Sequence, residues 1–110
     1  MKQIFSQCAL LASVLMISGA AAAAPEFKIE IKNHLFFPPE LTIPAHTKVK
    51  LRIFNQDPTN EEFESYELNR EKIILGNSQA VIFIGPLEPG EYPYFGEFNP
   101  KTAQGKIIAE

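Results

Sequence analysis

The chain has 110 residues, 45% of them hydrophobic, with 10 basic and 13 acidic side chains and a formal net charge of −3. That acidic balance, with no cluster of Lys and Arg, excludes the electrostatic footprint of a nucleic-acid binder, and a single cysteine, Cys8, excludes an intramolecular disulfide. The length suits one domain with one modest core.

In chain order, the first segment reads as a secretory signal peptide. Lys2 supplies a positive charge, Ile4 to Ile17 is mostly apolar, and Ser18 to Ala24 consists of small residues. The run falls short of the roughly 20 apolar residues that a membrane-spanning helix needs. Cleavage after Ala23 satisfies the small-x-small rule through Ala21 and Ala23. Removing residues 1–23 from the 110 leaves 87 and takes Cys8 and Lys2 away, so 9 basic face 13 acidic side chains. The expected organisation is a signal peptide, 1–23, and one domain, 24–110, in the periplasm and not embedded in the membrane.

The rest of the chain has the signature of β-structure. Phe27, Ile29 and Ile31 alternate with Lys28, Glu30 and Lys32, and Val49, Leu51 and Ile53 alternate with Lys48, Lys50 and Arg52. A period of 2 places one face of each strand in the core and the other in water. Further strands are predicted at Glu40 to Ile43, Phe63 to Leu68, Gln79 to Ile84, Tyr92 to Phe95 and Gly105 to Ala109, all rich in β-branched or aromatic residues. Turn chemistry separates several of them at Asn55 to Asn60, Leu75-Gly76-Asn77 and Glu88-Pro89-Gly90. No stretch of 10 or more residues carries a 3.6-residue apolar period. The prediction is an all-β sandwich of about seven to eight strands, with almost no helix. Phe36, Phe37, Phe54, Phe63, Phe83, Tyr92, Tyr94 and Phe95 are expected mainly in its core, and Tyr66 and Phe98 could form a docking surface.

The blocks "FFPPELTIPAHTKVKLRIFN", "LEPGEYPYFGEFN" and "AQGKIIA" resemble the successive strands of a cupredoxin. The resemblance spans nearly all of the expected mature chain and implies a Greek-key topology. More narrowly, "NEEFESYELNREKII" is similar to the cupredoxin-like subunits that accompany bacterial high-affinity iron permeases. It implies an iron or copper ion as cargo, and as partners an inner-membrane iron permease and a periplasmic iron-binding subunit.

A blue-copper site needs two imidazoles and a thiolate with a weak axial ligand. At the positions the resemblance matches, Gly96 stands for the cysteine, Asn99 for the second histidine, Ala103 or Gln104 for the methionine, and a residue at or near Glu62 for the upstream histidine. A type I copper centre is therefore not expected. Oxygen remains. Glu62 and Glu64 share a strand face, with Phe63 between them turned to the core, and Glu97 and Asn99 repeat the spacing around Phe98. If the implied topology brings the segments together, Glu62, Glu64, Glu97 and Asn99 form a candidate metal site suited to a hard divalent ion such as iron(II) or manganese(II). Carboxylates two apart on a strand are most often a solvated face.

His34, beside an Asn, and His46, in the "IPAHTK" turn, read as turn and surface residues. Catalysis is not expected: Ser65 and Ser78 lie in no nucleophile elbow, no His sits in a base-and-orienter pattern, and the chain is too short for a walled glycosidase cleft. Two functions stay open: a metal-handling accessory, and a metal-free module docking a transporter or redox partner through "EFESYEL" and "GEFNP".

Overall fold

A computed structural model describes residues 23–110; the expected signal peptide lies, but for Ala23, outside them. Nine strands form two sheets, and no helix occurs among the described residues. In chain order they are β1 (Glu26–Lys32), β2 (Leu35–Phe37), β3 (Glu40–Ile43), β4 (Val49–Asn55), β5 (Glu61–Ser65), β6 (Arg70–Ile74), β7 (Ser78–Ile84), β8 (Gly90–Gly96) and β9 (Gln104–Ala109). One sheet has the order β2-β1-β4-β7 and the other β3-β9-β8-β5-β6. The pairs β1/β4 and β3/β9 are parallel, while the remaining neighbours are antiparallel.

The two strands with the clearest alternation form the middle of the first sheet. Ile29 lies opposite Ile53 and Phe27 opposite Leu51, so the apolar faces of β1 and β4 coincide. Ile29, Ile31, Val49, Leu51 and Ile53 are fully buried, and they meet Phe63, Ile74, Tyr94 and Ile107 from the second sheet. A fully buried side chain of this size contributes about 1.5–3 kcal/mol.

β1 turns into β2 through Asn33 and His34, both left-handed (φ 55° and 60°), in the two-residue turn whose twist suits a hairpin. Their two amides donate to the Asp57 carboxylate at 2.7 and 2.9 Å, which anchors the turn. His46 likewise adopts a left-handed turn conformation, and its amide donates to Leu87 O.

The aromatic expectation holds for part of its set. Phe36, Phe63 and Tyr94 form the interior cluster: Tyr94 stacks on Phe63 (ring centroids 4.6 Å) and meets Phe36 edge-on (4.9 Å). Tyr92 packs at the margin of the core. Phe37 and Phe83 are exposed instead, and Phe54 and Phe95 are half-buried. Strand parity explains the correction, because each of these four is adjacent in sequence to a residue already turned inward. Lysine ammonium groups cover two of them, Lys28 over Phe54 and Lys48 over Phe83, at 5.0 and 5.1 Å from the ring centroids.

Two strands exceed the sequence prediction. β2 has three residues, and β6, REKII, is exposed except at Ile74, so neither shows an alternating apolar pattern.

Candidate functional site

One end of the sandwich is built where β4 stops at Asn55, β5 starts at Glu61, β8 stops at Gly96 and β9 starts at Gln104. Asn55 organises the first of its loops. Its buried amide donates to Thr59 O (2.8 Å) and Ile74 O (3.0 Å), and its carbonyl accepts from the Asp57 amide (3.0 Å). The second loop is tied by Gly96 N to Ala103 O (2.8 Å), Asn99 N to Gly96 O (3.0 Å) and Ala103 N to Asn99 O (2.9 Å).

Between these loops lies Glu61, 1% exposed. Its Oε1 accepts from the Glu62 amide (3.0 Å) and the Phe98 amide (2.9 Å), and its Oε2 from Asn99 Nδ2 (2.8 Å). Three N–H donors compensate the desolvation of a buried carboxyl group. Gly96 is packed against it: a Cβ there would lie 2.7 Å from Glu61 Oε2 and 2.7 Å from the Ala103 methyl. Phe63 and Tyr94, each two residues along its strand and therefore on the same face, form an apolar floor beneath.

The positions derived from the resemblance can now be assigned in space. Of the residues at or near Glu62, Glu61 is the one that meets Gly96 and Asn99. Ala103 is buried at this end, whereas Gln104 is exposed and donates to Pro100 O. Parity could have found Glu61: if Phe63 faces the core, the residue two before it does too.

The proposed metal residues divide between two faces. Glu62 and Glu64 lie together on the outer face of β5, and Glu71, opposite Glu64 on β6, joins them. One carboxylate oxygen from each of the three lies within 4.8 Å of the others. Glu97 is adjacent, its amide donating to Glu62 O (2.8 Å). The Asn99 side chain is held at the inner side instead, where its amide nitrogen donates to Glu61. Glu71 escaped the sequence reading because its strand did.

Among the described residues, no Lys, Arg or His lies within 4.0 Å of the Glu62, Glu64, Glu71 or Glu97 carboxylates. Nearby Arg70 donates instead to Phe83 O (2.9 Å) and Asn69 O (3.0 Å). Desolvation, then contact with Glu71 and the charges of Glu64 and Glu97, holds the Glu62 carboxyl above the usual carboxylate range. Desolvation, then the charges of Glu71 and Glu97, does the same to Glu64. Tyr66, 73% exposed, flanks this face and leans on Phe95 (centroids 5.7 Å), while Phe98 is exposed on the adjoining loop.

The two histidines stay apart from both groups, with His34 Nδ1 3.7 Å from Asp57 and His46 Nδ1 3.6 Å from Glu88.

Two sheets closed by parallel β1/β4 and β3/β9 pairs, with Gly96, Asn99 and Ala103 gathered at one end, define a cupredoxin-type sandwich. Residues 7–109 match the cupredoxin-like domain family, and the chain belongs to it. It is 49% identical over 83 residues to an uncharacterized protein of Rickettsia prowazekii (strain Madrid E), an alignment spanning 76% of this chain and 66% of that one. Among solved structures it is similar to the blue copper protein auracyanin A of Chloroflexus aurantiacus (14% identity, TM-score 0.68, 80% of this chain and 100% of that chain). It is also similar to amicyanin of Paracoccus versutus (21%, TM-score 0.60, 83% and 85%). A third similar structure is the Cu(I)-bound metal-binding domain of the Streptococcus pneumoniae D39 Cu(I)-exporting ATPase CopA (17%, TM-score 0.65, 77% and 84%). At these identities the structural likeness is one of fold.

The ligand end does not fit copper of the blue type. Among the described residues it offers no thiolate, the one imidazole at this end, that of His34, is turned to Asp57, Gly96 and Ala103 bring no donor atom, and the Glu61 carboxyl already accepts from three N–H groups.

Proposed function

We propose that the protein is a periplasmic accessory of an inner-membrane iron-uptake system, exported by its signal peptide, which binds or hands on a hard divalent ion at the outer face of β5 and β6. The observation that carries this reading is the convergence of Glu62, Glu64 and Glu71, without a cationic partner within 4.0 Å among the described residues. An all-oxygen donor set suits iron(II) or manganese(II) better than copper. Binding partly neutralises the mutual repulsion of the acids, and Glu97 stands near enough to contribute its charge. The role is one of binding rather than catalysis. Its expected partners are the iron permease and a periplasmic iron-binding subunit. Anaerobic calorimetry with iron(II), manganese(II) and copper(II) tests the reading: saturable iron(II) or manganese(II) binding that disappears in Glu62→Gln/Glu71→Gln supports it. Equal heats from the protein and that variant oppose it.

A second reading is favoured by Tyr66 and Phe98, whose exposed rings flank the same acids. In it the face docks a transporter or redox partner without metal. Pull-down from native periplasm in the presence of a chelator discriminates the two: a partner retained by the protein and lost with Tyr66→Ser/Phe98→Ser supports docking. Loss of all partners on chelation supports the metal.

A further inference from the structure

The mismatch between this ligand end and copper has a structural counterpart. In a metal-binding sandwich an ion can join the loops that supply its ligands, so metal binding is coupled to their folding. Here the corresponding loops are already joined through one side chain. Glu61 stands at the start of β5, and its two oxygens are held by the Glu62 amide beside it and by the Phe98 amide and Asn99 side chain across the gap. Gly96 and Ala103, the small residues opposite, leave their volume to that carboxyl group.

We propose that the Glu61 carboxyl is a built-in cross-link that takes the place of a metal ion at this end of the fold, closing the β4–β5 and β8–β9 loops together and leaving no room for a metal. Three observations support it. The group is buried and bonded at both oxygens. Two of its three donors, the Phe98 amide and the Asn99 side chain, come from the β8–β9 loop, with Phe98 37 residues away in sequence, so the side chain adds a tie between the two segments beyond their backbone bonds. Gly96 has no left-handed φ, so glycine there is a matter of space: a Cβ would approach the Glu61 Cδ to 2.6 Å. The inference concerns the inner end of the sandwich and stands independently of what the outer acids bind.

The test is a double-substitution cycle on the purified protein, followed by thermal unfolding and amide exchange. Glu61→Ala lowers the Tm by roughly 10 °C through orphaned donors, and it accelerates exchange of the Phe98 amide at least about tenfold, the effect of roughly 1.4 kcal/mol of lost protection. Gly96→Ala alone lowers the Tm by a similar amount, and in the Glu61→Ala background part of that penalty vanishes, because the contacts with the carboxyl group are relieved while that with the Ala103 methyl remains. Strict additivity of the two substitutions, or an unchanged Phe98 exchange rate in Glu61→Ala, overturns the proposal. If Gly96→Ala alone does not fold, the Phe98 exchange rate in Glu61→Ala decides by itself. Copper(II) gives a separate reading: broadening of the Phe98 and Asn99 amide resonances in the unmodified protein, with loss of the protection of Phe98, overturns the exclusion of metal. Unchanged protection and resonances at those residues support it.

Discussion

Glu61 and Glu62 are neighbours in the chain, yet they belong to regions with opposite electrostatics. Glu61 faces the interior, is buried, and accepts three hydrogen bonds. Glu62 faces outward among Glu64, Glu71 and Glu97, none of which has a cation within 4.0 Å among the described residues. One step along a strand reverses the face a side chain occupies. The lesson is that acidity in "NEEFES" is two features: an internal structural bond, and an external surface with unsatisfied charge. Only the second is available to a ligand or partner.

The largest expected effect attacks the inner region through another of its buried polar groups. Asn55→Ala removes two amide donations and one accepted bond, leaving Thr59 O, Ile74 O and Asp57 N without those partners. At about 1–3 kcal/mol for an unsatisfied buried group, the Tm falls by roughly 10 °C or more in a domain of this size. A change of under about 2 °C would mean that the loop is held by other contacts.

The next effect sharpens the contrast from the opposite side. Tyr94 Oη is buried without a hydrogen-bond partner, and burial pushes its phenol well above the ordinary value. Gly105, opposite Tyr94, would place a Cβ 2.5 Å from that oxygen, so the ring is held tightly where it is. Tyr94→Phe deletes the unpaired group while keeping the stack on Phe63. The expected outcome is a Tm higher by roughly 5 °C in thermal unfolding; a lower Tm would show that the hydroxyl is satisfied in solution.

A smaller effect belongs to the outer face and depends on pH. Glu62 and Glu64 are raised in the folded protein relative to the ordinary value of 4.5. The folded state therefore binds more protons than the unfolded state as pH rises from about 4.5 through the raised values, and stability falls over that window. Glu26 and Glu30 are lowered, chiefly by Arg52 and Lys28 respectively, and act in the reverse sense: their contribution is present above 4.5 and lost as pH falls below it. The comparison that isolates the outer acids is the protein against Glu62→Gln/Glu64→Gln. The variant is the more stable by a few degrees at pH 7, and the difference shrinks toward zero below pH 4. Equal Tm values across that range would remove repulsion from the account of this face.

Much of the fold was legible because β1 and β4 alternate cleanly and the turn residues lie between the strands. β2 was hidden by its three-residue length, and β6 by charged residues that carry no inward rhythm until Ile74. The site was legible only in part. Glu62 and Glu64 share a face as their spacing predicts, but Glu71 reaches them across a strand pairing that no local pattern announces. Asn99 could be placed on a loop near the acids, whereas its attachment to Glu61 depends on where that loop folds back. Glu61 lies within the range at or near Glu62 that the resemblance implies, and its shared parity with Phe63 singles it out.

The difference between the two faces is measured most directly by thermal unfolding at pH 7 of two single substitutions one residue apart, Glu61→Gln and Glu62→Gln. Replacing an acceptor oxygen of Glu61 by an amide opposes an N–H already aimed at it, whereas the same change at Glu62 relieves repulsion from Glu71, Glu64 and Glu97. The account predicts opposite signs, a Tm lowered by several degrees for Glu61→Gln and raised slightly for Glu62→Gln. Shifts of the same sign would contradict it.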